Sequence, residues 1–579
     1  MTMHKLIISS CLFVAPLLSH ADNWIETSNN YTHSQIAIDG KFHPEMGSFV
    51  GMAEFDSQCA NITTNAQTDY LNALKLQKTQ LEKALTTETS EPVKQDLAIL
   101  IQDIELTLED DRLDKKYFLP WTDVAQTVFQ GLSALLDEQM PRSRQEAALN
   151  RLACYVGKAD QEALSLQAQA EFDKAISNSA LMGPAKEKVQ QALDRTPTLI
   201  KGLRELFADH NLAQATENLD LLEQQLTAYS NWVNTNVIPK TRTDYRLPAD
   251  IYALKLRQMG IDIAPELLIQ RAKAAFMETR ANMQALAPQV ARAEKIKAND
   301  YRSVIKALKK DSISNRKIEK HYRDINKQLE AAITKHGIVD LPKRDMIMRL
   351  GSEAESAASP APHMLPPPFI GNTGEQGQFV LTTGNPALTG DAAYNDFNFD
   401  AVAYTLSAHE GRPGHELQFS AMLEQGVSLA RVYYAFNSVN VEGWALYAEA
   451  EVLPFHPLKG QLIGLQHRLL RNARAMLDPM LNLGLATPDQ AYDILLNDVG
   501  LSKAMAKQEV DRYTLRMPGQ AGSYFYGYSR LLEIRAGAEL VLADKFDRLA
   551  FNNFVLSQGL IPPSLMEKAV NEQFIPKYL

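Results

Sequence analysis

Past residue 21 the chain has no apolar run long enough to cross a bilayer, which excludes a membrane-spanning segment in the remainder. It also has no basic patch interleaved with aromatic side chains. With a formal net charge of −10, that argues against a nucleic-acid partner. Cysteine is scarce, at three residues, and none lies near the histidine-rich stretch read below, so no thiolate metal ligand is expected. No fixed-period repeat is present, which removes solenoid architectures.

What is there begins with an exported N-terminus. Lys5 is a positive start, Leu6 to Leu18 is an apolar run, and Ser19-His20-Ala21 is a small-x-small cleavage site. Residues 1–21 therefore read as a signal peptide cleaved after Ala21, and a periplasmic or secreted location is expected. Ile8-Ser9-Ser10-Cys11 resembles a lipoprotein box, but apolar residues continue past Cys11, where a processed lipoprotein would turn polar. Cleavage leaves Cys59 and Cys154. In an oxidising compartment these are a natural disulfide pair, the alternative being two buried thiols.

Hydrophobic content of 45% over 579 residues allows a large core. Helical periodicity dominates. Tyr70 to Asp111 reads as a hairpin with a restart at Pro92. Further helices are expected over Trp121 to Asp137, Arg142 to Ile176, Pro184 to Ala208 with a break or kink at Pro197, and Asn211 to Val233. After Arg246-Leu247-Pro248, helices are expected over Ala249 to Met259, Ala264 to Leu286 and the charged Lys306 to His336. The division expected is an N-terminal helical region, 22–245, and a C-terminal region, 246–579. The latter holds a proline-rich loop at 358–377 and then Gln378 to Thr383, which has strand composition.

The chemistry concentrates in Ala408-His409-Glu410-Gly411-Arg412-Pro413-Gly414-His415-Glu416-Leu417-Gln418. Neutral imidazoles are zinc ligands, and a carboxylate beside activated water can act as its base. In the usual H-E-x-x-H helix the two histidines differ by four residues, about 40° around the axis. Here they differ by six, about 240°, so one straight helix would aim them apart. Pro413-Gly414 can break the helix and swing His415 back toward His409. Asp400 or Asn398 is placed to cap the first helix, and Gly426 to end the second. Spacing alone is equally compatible with two ordinary cap or surface histidines.

This string resembles the H-E-x-x-P-G-H-x-x-Q signature of the bacterial "domain of unknown function 885" family, which is grouped with thermolysin-like (gluzincin) zinc peptidases. Other stretches resemble that family too. They are Leu247 to Tyr252, Asn440-Val441-Glu442-Gly443-Trp444-Ala445-Leu446-Tyr447-Ala448-Glu449, and Arg512-Tyr513 with Pro518-Gly519-Gln520-Ala521-Gly522-Ser523-Tyr524. The resemblance implies a mainly α, multi-helix, metallopeptidase-like fold with a small β element near the active-site helix. It also implies Zn2+ as cofactor and peptides as substrates. His409, His415 and Glu442 are then the expected ligands, with Glu449 a partner behind them or an alternative ligand. Glu410 is the expected general base, Glu416 being the weaker candidate. Tyr524 is the expected oxyanion donor, with Tyr526 and Tyr528 as competitors. Arg530 or Arg535 would take a substrate carboxylate. Phe379 and Val380 lie on a strand that either pairs with the substrate backbone or belongs to the core.

One departure stands out. Many family members carry D-x-G-x-H where this chain has Asp478-Pro479-Met480-Leu481-Asn482. Asn482 in place of histidine leaves open a catalytically inactive metal- or peptide-binding relative, and a helical scaffold without metal is a third reading.

Overall fold

The computed structural model describes residues 21–178, 180–359, 361–382 and 394–579. The expected signal peptide, apart from Ala21, lies outside the described residues, as do Pro360 and the Thr383-Gly384 end of the expected strand. The chain is mainly α-helical, with one three-stranded sheet among the described residues. No described helix is long and apolar enough to cross a membrane.

Periodicity becomes layers in a direct way. Thr64–Thr87 and Glu91–Tyr117 form the expected hairpin, with Pro92 in the first turn of the second helix, where its missing N–H is harmless. Leu74, Leu81, Leu97, Leu100 and Ile104 from both helices are buried together. One large core joins side chains from Cys59 to Val237, and another joins mostly side chains from Tyr252 to Ile575.

The Cys59–Cys154 disulfide is present, closing a sequence separation of 95 residues. A loop of that length restricts the unfolded chain by on the order of 4–5 kcal/mol. Beside it Arg151 is fully buried. Its guanidinium donates to the carbonyls of Gln58 (2.7 Å), Gly131 (2.9 Å), Phe55 (2.8 Å) and Pro44 (3.3 Å), and to Ser48 Oγ (2.5 Å). One cation thus gathers carbonyls from the Pro44–Phe49 helix, the Phe55-to-Gln58 turn and the Val124–Ser133 helix.

Three expected helices differ from what is found. Arg142 to Ile176 is two helices, Arg142–Tyr155 and Leu164–Ala175. The chain turns at Gly157, where φ is +80° and a Cβ would come within 2.8 Å of Ala163 N. The charged stretch is likewise split, into Tyr301–Leu308 and Asn315–His336. Pro197 does not break its helix, which runs from Lys186 to Asp209. The buried face of Val189, Leu199, Leu203 and Phe207 continues on both sides and keeps the helix going past Pro197.

The sheet has β1 (Ile347–Leu350), β2 (His363–Leu365) and β3 (Gln378–Leu381) in the order β1-β3-β2. The proline-rich stretch contributes β2, and Pro366, which lacks an N–H, follows it immediately. β3 is the centre, parallel to β1 and antiparallel to β2. This corrects the substrate-strand expectation. Both edges of β3 are already hydrogen-bonded, and Phe379 and Val380 are each 0% exposed, so neither is free to meet a peptide. The sheet does lie beside the second histidine helix, since a Cβ on Gly377 would be 3.1 Å from Glu416 Cγ.

Candidate metal centre

His409 and Glu410 end the helix Asp400–Glu410, and His415 begins the helix His415–Gln425. The expected side-chain cap is not found. Phe399 occupies the cap position, and Asp400 is instead paired with Lys459 (2.6 Å) and His321 (2.9 Å). Between the two helices the backbone reverses through Gly411–Gly414, with a cis Arg412–Pro413 bond. Gly414 packs so tightly that a Cβ would sit 1.9 Å from His409 O and 2.4 Å from Ala408 O. Trp444 Nε1 donates to Pro413 O at 3.0 Å. Arg412 donates to Glu416 (2.6 Å), Glu330 (3.1 Å) and Arg344 O (2.7 Å). Glu416 is thereby committed to bracing the reversal, which removes it as a base. The outcome is the expected one: the imidazole centroids of His409 and His415 are 4.7 Å apart.

The third element is the helix Ser438–Val452, capped by the Asn437 side chain, which accepts from Asn440 N. Gln418 donates to Asn440 Oδ1 at 3.0 Å and ties this helix to His415–Gln425. Glu442 Oε2 stands 3.3 Å from His409 Nε2 and 3.3 Å from His415 Nε2. Two turns on, Glu449 Oε1 accepts from His409 Nδ1 at 2.7 Å. It is therefore a partner behind His409 and not an alternative ligand. Thr405 Oγ1 (2.6 Å) and Arg471 Nη2 (3.4 Å) also donate to Glu449. Glu410 Oε1 lies 3.9 Å from His409 Nε2. One ligand atom each from His409, Glu410 and His415 falls within 4.8 Å of the other two.

Electrostatics follow from burial against these partners. Burial alone would lower the His409 imidazole, but the carboxylates of Glu442 and Glu449 outweigh it and raise it to about 9. Burial would raise Glu442, yet the two imidazoles hold it well below the usual carboxylate range. Glu449 is held low in the same way, by Arg471 and His409 against its burial. Nevertheless Glu442 Oε2 is buried and receives no well-aligned hydrogen bond among the described residues. Donor atoms that converge with no aligned hydrogen bond between them are what a cation site requires. Two imidazoles and a carboxylate suit zinc in particular.

The helix Ser523–Leu542 supplies Tyr524. It crosses Ser438–Val452 backbone to backbone: a Cβ on Gly527 would be 1.9 Å from Val439 O, and one on Gly443 would be 2.6 Å from Gly527 C. The Tyr524 ring stacks on His409 with centroids 6.2 Å apart and planes 13° apart. Its hydroxyl accepts from Arg512 Nη2 at 2.8 Å. Burial raises the phenol above its ordinary value, so it keeps its proton. The turn before it is anchored by Asp478, which accepts from Gly519 N (3.0 Å), Ala521 N (3.1 Å) and Tyr252 (3.1 Å). Asn482, the family departure, donates to Asp478 Oδ1 (3.1 Å) and Tyr513 O (3.1 Å) and so braces this turn.

Other expected residues are not brought to the cluster. Arg530 is taken up by Glu533 (2.5 Å) and Glu567 (2.6 Å), which corrects its assignment to a substrate carboxylate. Arg535 pairs with Glu451 and Glu539, both at 2.7 Å. The Tyr526 hydroxyl donates to Asp262, and Tyr528 lies under Arg468.

The family model described as bacterial protein of unknown function (DUF885) matches residues 44–570. The chain belongs to that family. Two solved structures are similar to this DUF885 member. One is a candidate lipoprotein of unknown function from Shewanella oneidensis, with TM-score 0.73 and 18% identity, covering 95% of this chain and 100% of its own. The other is a candidate lipoprotein from Colwellia psychrerythraea, with TM-score 0.74 and 16% identity, covering 96% of this chain and 98% of its own. At such identities they show a shared fold. No curated protein matches the chain.

Several working residues of this DUF885 member carried little sequence signal. Arg412 and Gly443 sat inside quoted motifs without a role. Arg471 and Arg474, on the helix Leu458–Asn482, had no role assigned from the sequence. Their burial would have been the clue, and burial is a tertiary property.

Proposed function

We propose that this chain is an exported zinc-dependent peptidase of the thermolysin-like (gluzincin) kind, cutting small peptides. One observation carries the reading: His409, His415 and Glu442 direct three donor atoms at a common point, with Glu410 beside them and Glu449 behind His409. The ligands would be His409 Nε2, His415 Nε2 and a Glu442 oxygen. Zinc held there would supply Lewis acidity that activates water and polarises the scissile carbonyl.

The chain's own groups do the rest. Glu449 accepts the Nδ1 proton of His409, which leaves its Nε2 lone pair facing forward. Glu410 takes the proton from the attacking water and passes it to the leaving amine. The water oxygen bonds to the carbonyl carbon and the C–N bond breaks, so one water is consumed. Tyr524 accepts from Arg512 and keeps its own O–H to donate to the carbonyl oxygen as charge develops there.

Export is supported by the N-terminal sequence and by the disulfide, which belongs to oxidising compartments. Both neighbours are described as lipoproteins, which gives Ile8-Ser9-Ser10-Cys11 a second reading as a lipidation site.

Elemental analysis of the purified chain is expected to find about one zinc, with His415→Ala losing it and a chelator stopping peptide hydrolysis. A metal-free wild type that hydrolyses peptides would sink the proposal. The pH dependence has a definite sign. In the metal-free site His409 holds a proton up to about 9, and that proton must leave as zinc enters. Apparent zinc affinity is therefore expected to rise about tenfold per pH unit from 6 to 9 and then flatten. Calorimetry in buffers of different ionisation enthalpy should count about one proton released per zinc near pH 7.5.

A further inference from the structure

Three guanidinium groups surround the Tyr524 ring: Arg474 at 4.6 Å, Arg512 at 5.3 Å and Arg471 at 5.9 Å from its centroid. Their partners are unequal. Arg474 is held by both Glu509 oxygens at 2.7 Å. Arg471 touches Glu449 at 3.4 Å. Among the described residues Arg512 hydrogen-bonds only neutral groups, Gln520 Oε1 (2.6 Å) and the Tyr524 hydroxyl, and its nearest carboxylate oxygen, on Glu509, is 3.9 Å away. Three positive charges thus share two carboxylates. Glu410 and Glu442 do not restore the balance, because they offset the charge of a divalent metal.

Exposure points the same way. His409 and His415 side chains are 4% and 8% exposed, whereas Glu410, Glu442 and Arg512 are 12%, 15% and 18% exposed. These three are the more exposed groups there. A partly exposed cation with spare N–H groups and, among the described residues, no carboxylate closer than 3.9 Å is unsatisfied until an anion arrives.

We propose that Arg512 binds the free C-terminal carboxylate of a peptide, so that residues are removed from the C-terminal end. This rests on the peptidase reading above. Arg512 lies one phenol's width from the histidines, within reach of a chain end one or two residues past the scissile bond at roughly 3.5 Å per residue. Its Nη1 keeps two N–H groups to donate to a terminal carboxylate, while Gln520, bonded to Nε (3.1 Å) and Nη2 (2.6 Å), and Tyr524, bonded to Nη2, fix the rest of the guanidinium. Arg512 also begins a π-helical turn, Arg512–Arg516, a backbone irregularity frequent at functional sites.

The test uses the full zinc-loaded chain carrying Glu410→Gln, so that bound peptide is not consumed. Calorimetry compares N-acetyl-tetra-alanine as free acid and as C-terminal amide, together with an amidated peptide containing one glutamate. The free acid is expected to bind about 10- to 100-fold tighter than its amide. Adding Arg512→Met should erase the difference, and Arg512→Lys, which keeps the charge without the fork, should retain part of it. Zinc content and far-UV circular dichroism establish that each variant is folded.

The proposal is overturned by equal affinity for acid and amide, by no binding of the acid, by a preference that survives Arg512→Met, or by glutamate binding as tightly as the free acid. None of these readouts needs turnover, so the two readings separate. Wild type that binds the acid through Arg512 but never cuts it would retire the peptidase and keep the carboxylate site. Wild type that cuts acid and amide alike at internal bonds would do the reverse.

Discussion

Glu410→Gln is expected to keep about one zinc per chain and to slow peptide hydrolysis by about 10²–10⁴-fold. Glutamine matches glutamate in shape and can still accept a hydrogen bond, but it cannot take a proton from water. The geometry separates this residue from the ligands. Glu442 Oε2 is 3.3 Å from both Nε2 atoms, while Glu410 Oε1 is 3.9 Å from His409 Nε2 and its side chain is 12% exposed, where water reaches it. The matched substitution Glu442→Gln should behave differently and lose zinc together with activity. Metal content measured beside initial rates distinguishes the two. Wild-type rates in Glu410→Gln would remove it as the base, and loss of zinc from that variant would make it a ligand.

Arg151→Met is expected to destabilise the chain by at least about 3–5 kcal/mol, read as a lower urea midpoint with the disulfide intact. Methionine fills much of the volume and avoids a buried charge. It removes the Arg151 donor from the buried carbonyls of Pro44, Phe55 and Gly131 and from the half-buried carbonyl of Gln58, of which Phe55 O keeps Gln58 N as a donor. Each stranded acceptor costs about 1–3 kcal/mol before relaxation. The effect should be purely structural, because His409, His415 and Glu442 lie on other helices. A shift under about 1 kcal/mol would mean that these carbonyls find other partners, against the present account.

How much of this was legible depended on whether a property is local. The reversal at Pro413-Gly414 could be read because proline and glycine carry their backbone constraints with them. The Cys59–Cys154 pair could be read because only two cysteines follow the signal peptide. Glu442 needed the family resemblance, since nothing within its helix says which neighbour it faces. Phe379 and Val380 were recognisable as strand residues, but composition reports burial and not which edges are occupied, so a central strand passed for one open to substrate. Arg530 and Arg512 are indistinguishable as letters. They separate only when Glu533 and Glu567 are seen to claim one and neutral groups the other. Pro197 does not break its helix because packing on both sides outweighs a local preference.

The glycine contact between Ser438–Val452 and Ser523–Leu542 has a consequence for how this protein can change. Where two main chains touch, their separation is already at its minimum, and no neighbouring substitution can shorten it. Glu442 and Tyr524 are therefore held at a spacing that works like a fixed gauge. Any change in what the site accepts has to come from replaceable parts around it, while a single methyl at position 443 or 527 would throw the gauge out of true.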